Sequence, residues 1–121
     1  MAGLYGEIDS RADFERVLKE ARYITRRLLQ RQPHNKTIET IDTQLDALER
    51  WTAGGGEPSE AQRKTISIGL IAARELDDVP DPEVKVLVDK LYALQNYVKE
   101  WPTDDQAASA TEEDYWKRFG L

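Results

Sequence analysis

Apolar residues in this chain recur at three-four spacing, and no stretch alternates apolar and polar at every second position. That period marks helices buried along one side. Pro33, the run Gly54-Gly55-Gly56, the Pro80-Asp81-Pro82 turn and Pro102 cut the pattern into segments. Proline lacks an amide hydrogen and biases the residue before it away from helix, and a glycine run breaks one. The chain has 121 residues, enough for one domain with a single core. The expected fold is therefore all-α: an antiparallel bundle of four main helices with a short C-terminal helical appendage. Residues 1–9 form a lead, residues 10–102 the bundle domain, and residues 103–121 a linker and short C-terminal helix.

The first helix is predicted from Ser10, its N-cap, to about Gln32. Phe14, Val17, Leu18, Ala21, Ile24, Leu28 and Leu29 make its apolar stripe. The second runs from about Lys36 to Thr52, with Ile38, Ile41, Leu45, Leu48 and Trp51 on one side. A third starts at Pro58 and Ser59, where Ser59 and Gln62 form a capping-box pattern, and continues to about Asp77. It is apolar almost all round, which predicts a central position. Gly69 costs about 1 kcal/mol against Ala there, so a neighbouring helix should approach closely. The fourth is capped by Asp81, begins at Pro82 and runs to about Trp101. Val86, Ala93 and Tyr97 give it a second stripe, to be covered by the tail or by a partner. Residues 103–110 read as a polar linker. Thr111 is expected to cap a last helix through Phe119 that carries Tyr115 and Trp116.

Charge is unevenly spread over a net of −6. Residues 1–36 hold eight Lys/Arg and five Asp/Glu; the remainder holds nine and eighteen. So acidic a body argues against nucleic acid or an anionic membrane as partner, since both need a cationic footprint. It favours a basic protein partner. Arg16, Lys19, Arg22, Arg26, Arg27 and Arg31 gather on one side of the first helix. The ordinary reading is a solvated face aided by a Glu15–Lys19 pair and by acidic neighbours. The sharper one is contact with phosphates or an acidic groove.

No catalytic kit is visible. His34 is the only histidine and falls in a turn, and cysteine is absent. The acids of residues 75–83 lack calcium-loop spacing. Gly54-Gly55-Gly56 is followed by Glu57, without the Lys-Ser/Thr ending of a phosphate loop. The expectation is a protein that is not an enzyme, with no catalytic, cofactor or metal site. No apolar run approaches the roughly 18 residues that would span a bilayer. The first residues lack a secretory pattern. Together with the absence of cysteine, these features suit a cytoplasmic location.

The acids remain as the candidate site. Glu39, Asp42, Asp46 and Glu49 form a stripe on the second helix. Glu75, Asp77, Asp78, Asp81 and Glu83 crowd the turn before the fourth. Asp81 and Glu83 gain from a helix N-terminus, but Glu75 and Asp77 sit at a C-terminus, where negative charge is unfavourable. Compensation has to come from an internal base, with Arg74 the nearest, or from a partner's cations.

From about Leu28 to Trp101 the chain resembles the small all-helical immunity proteins of bacterial type VI secretion that protect against an NAD(P)-hydrolysing effector toxin. The likeness rests on Pro33, on Gln44-Leu45, on the run Ile68-Gly69-Leu70-Ile71-Ala72-Ala73-Arg74-Glu75-Leu76-Asp77 and on Asp81-Pro82-Glu83. It departs at Leu76, where the family tends to an aromatic, and in a slightly longer turn before Asp81. The resemblance implies a non-catalytic protein that binds the cognate toxin domain in the producing cell and blocks its active site. The residues expected to bind that toxin are Glu75, Asp77, Asp78, Asp81 and Glu83, then Glu39, Asp42, Asp46 and Glu49, with Tyr92 or Tyr97 as an aromatic anchor. The alternative is a non-catalytic helical adaptor or chaperone for a secretion or regulatory partner, using the second stripe of the fourth helix.

Overall fold

Ser10 Oγ accepts from the Asp13 amide at 3.1 Å and opens the first helix of the computed structural model, which describes residues 5–109. The elements are α1 (Arg11–Arg31), α2 (Lys36–Thr52), α3 (Glu60–Lys64), α4 (Ile68–Ile71) running into a π-helical turn (Ala72–Leu76), α5 (Pro82–Glu100) and α6 (Asp104–Ser109). The described residues contain helices, turns and no strand. Side-chain caps set the boundaries. Asn35 caps α2 through the Ile38 amide, Ser59 and Gln62 close the expected capping box on α3, and Asp81 takes the Glu83 amide ahead of Pro82 in α5. Each such cap is worth about 1 kcal/mol.

The third segment is not the single helix that its apolar pattern predicts. It stops at Lys64, and Thr65–Ser67 break it before α4. Two glutamines from other helices hold the break open. Gln44 on α2 accepts from the Ser67 amide at 2.7 Å and donates to Ser67 Oγ at 2.9 Å. Gln95 on α5 donates to the Ile66 carbonyl at 2.9 Å and accepts from the Gly69 amide at 3.0 Å. Backbone groups freed from a helix must find such partners when half buried. Gly69 makes room for the clamp: a Cβ there would lie 2.8 Å from both Cβ and Cγ of Gln95. The expected close approach is therefore real, made by a side chain of α5.

Nor is this segment central. Ile66, Ile68, Ala72 and Leu76 are buried, while Leu70, Ala73 and Arg74 face out. The centre belongs to α5, which packs against α1, α3, α4 and the π-helical turn. Its Leu87, Leu91, Leu94, Tyr97 and Val98 are fully buried.

The second stripe of α5 is covered largely from the N-terminal side. Tyr5 and Ile8 lie in the core. Tyr5 meets Tyr97 edge-on at 5.6 Å, and Phe14 stacks on it at 5.1 Å. Gly6 has a φ of +61° and passes so near α5 that an added Cβ would stand 3.1 Å from the Ala93 methyl. Lys90 is only 8% exposed and fastens this cover, bonding Glu20 at 2.8 Å and Glu7 at 3.4 Å. Hydrogen bonds from Lys90, then Arg16, hold the Glu20 carboxyl below its ordinary range, against the opposing effect of burial. Within the expected polar linker, residues 104–109 form α6, which seats Ala107 in the core. The helix expected at Thr111–Phe119 lies outside the described residues.

Candidate functional site

The nine expected carboxylates divide into two groups once α1 is in place. Its arginines run between α2 and the start of α5. On the α2 side, Arg22 bonds Glu49 and reaches Asp46 at 3.3 Å. Asp46 also holds Arg50 at 3.0 Å, and Glu39 takes Lys36 at 3.4 Å. Arg26 comes only to 4.0 Å of Asp42, beyond hydrogen bonding, and Asp42 Oδ1 is buried without a hydrogen-bond partner. On the α5 side, Arg27 bonds Glu83 at 3.1 Å, while Arg31 takes Glu83 at 2.9 Å and Asp81 at 3.5 Å.

These contacts give the basic side of α1 its role. Arg22 is the most enclosed of its bases, with 12% of the side chain exposed. Burial disfavours its charge, but the Glu49 carboxylate outweighs that and leaves the guanidinium pKa raised. Acidic neighbours do steady this face, as expected, but Glu15 and Lys19 form no ion pair. Partial burial makes the Arg22 cluster worth more than the freely solvated pairs on the outer surface.

The second group has no such neutralisation. Glu75 and Asp78 are exposed and have no ion-pair or hydrogen-bond partner among the described residues. Arg74, their nearest base in sequence, pairs with neither. Asp77 accepts from the Tyr92 hydroxyl at 3.3 Å. Burial, then the Asp77 charge, push the Tyr92 phenol above its ordinary value, so it stays a donor. All three acids follow α4, where the π-helical turn widens the helix by a residue. That shift buries Ala72 and Leu76 and leaves Ala73, Arg74 and Glu75 outside. Such bulges recur at functional positions because they re-aim side chains.

An apolar residue joins them. Leu70 is 52% exposed and lies three and four residues ahead of Ala73 and Arg74, hence on their side of the helix. Sequence reasoning missed it by assigning it to a buried helix; only the break at Thr65–Ser67 fixes the rotation that turns it outward. Tyr97 is corrected in the opposite sense. It is a core residue with no exposed surface, so it cannot anchor a partner. Tyr92, half buried beside Asp77, keeps an accessible edge.

Among the described residues no group of three or more His, Cys, Asp or Glu is placed to hold a metal ion, and no helix is long and apolar enough to cross a membrane. The free chemistry lies on an outer face, and a small helical bundle so built belongs to a class defined by what docks on it. The Tsi6 family model matches residues 10–100, and the chain belongs to that family, the type VI secretion immunity proteins. No curated protein and no solved structure matches it.

Proposed function

We propose that this immunity protein binds the toxin domain of a cognate antibacterial effector and blocks its active site, and that the toxin consumes NAD(P). The docking face is the outer side of residues 70–78: Leu70 and Tyr92 as the apolar element, Glu75, Asp77 and Asp78 as the charged one. One observation carries the reading: these three acids alone, of the nine expected, are held by no base in the chain. A basic rim around a toxin cleft supplies the missing cations. Clustered like charge left open on a folded surface steers a partner of opposite sign and speeds encounter. An interface of ordinary size, roughly 1,600 Å² in total, extends well beyond these residues. Asp81, Glu83 and the α2 stripe then contribute through the shape and charge of the flanks. Such inhibition needs only that the bundle occupy the cleft, and the producing cell's cytoplasm is where it is needed.

The adaptor reading loses support, because the stripe it requires is covered by Tyr5, Gly6 and Phe14 except at Val86. The test is to co-express the protein with the toxin domain encoded beside it, purify the pair and follow NAD(P) consumption. A stable complex with turnover suppressed at equimolar protein is expected. Turnover that continues in the presence of excess protein contradicts the proposal.

A further inference from the structure

The basic side of α1 forms an open groove of about 660 Å³, lined by Lys19, Tyr23, Arg26, Arg27 and Arg31, with Arg22 and Gln30 beneath and Glu49 at its α2 edge. Tyr23 stands in it 64% exposed, the most open large apolar side chain among the described residues. Arg27 lies over its ring at 5.7 Å and steadies it. Arg22, Arg27 and Arg31 are already engaged by carboxylates of the chain. Lys19 has no acidic partner, and Arg26, 62% exposed, has only the loose approach to Asp42.

We infer that this groove docks an acidic amphipathic helix of a partner polypeptide, one apolar side chain seated on Tyr23 and one carboxylate on each of Lys19 and Arg26. The two available cations flank the aromatic, four residues before it and three after. At 1.5 Å per residue they stand about 10 Å apart along α1. That spacing suits carboxylates two turns apart on a facing helix, with an apolar residue midway. A phosphate cluster asks instead for cations converging on one point, and Glu49 in the lining opposes it. Exposed Tyr and Arg are the residue types that most often carry interface energy. The chain's net negative charge works against an acidic partner at long range, but screening over about 8 Å at physiological salt leaves the local field of the groove in control.

None of these residues belongs to the face proposed for the toxin, so failure here leaves that reading standing. The probe is a fluorescein-labelled, alanine-based helical peptide with Glu at positions i and i+7 and Leu at i+3 and i+4, titrated with the full chain by anisotropy. Saturable binding is expected. Tyr23→Ala and the double variant Lys19→Glu/Arg26→Glu should each weaken it about tenfold or more while keeping the wild-type melting temperature. The same peptide with both Glu changed to Gln should lose binding to the unaltered protein, a check independent of any variant's folding. Absence of saturable binding, indifference to these changes, or displacement by tripolyphosphate with Tyr23→Ala unaffected overturns the inference.

Discussion

The acids of α2 and those following α4 are alike in kind and differ in what α1 does for them. Asp46 and Glu49 close on Arg22, whereas Glu75, Asp77 and Asp78 meet no base at all. The first group holds two helices together; the second is left for something outside the chain. Local acid density therefore does not separate a structural carboxylate from a docking one. The distinction lies in whether a cation on a neighbouring helix arrives in register.

The comparison breaks most visibly under charge reversal on the α2 side. Asp46→Lys with Glu49→Lys sets two cations against a largely enclosed guanidinium and should cost about 2–4 kcal/mol, measured by urea unfolding. A cost near zero would erase the difference between the regions. Next comes the clamp that turns Leu70 outward. Gln44→Ala or Gln95→Ala orphans half-buried backbone groups and should cost about 1–3 kcal/mol, with faster amide exchange at Ser67 for the first and at Gly69 for the second. A smaller effect concerns Glu20. Its folded pKa lies below the ordinary 4.5. A depressed carboxylate stabilises the fold above the unfolded value and loses that contribution as pH falls through the folded one. Unfolding free energy should thus drop on acidification below about pH 4.5, and Glu20→Gln should flatten that slope. Smallest of all, Asp77→Lys with Asp78→Lys should change stability by no more than about 0.5 kcal/mol, as exposed sites without partners do.

Much of the bundle was legible in the sequence because its signals are local. Ser10, the Ser59/Gln62 box and the Asp81-Pro82 start each announce a helix within a few residues, and the stripes of α1 and α2 follow one period. What was not legible depends on distant partners. Thr65-Ile66-Ser67 contains no breaker; the break exists because Gln44 and Gln95 satisfy its backbone. Tyr5 and Ile8 sit in a lead too short to show periodicity, yet they help cover the stripe of α5. The candidate site was half legible. The acidic turn stood out, but which acids stay free follows from Arg27 and Arg31 reaching Glu83 and Asp81 and stopping short of Asp77 and Asp78.

The most direct measurement is the association of the Asp77→Lys/Asp78→Lys protein with its toxin domain, followed by stopped flow at low and physiological salt. The account predicts a slower on-rate, most markedly at low salt, and an affinity weaker by about tenfold or more, in a protein as stable as the original. An unchanged rate and affinity in that stable variant would contradict it.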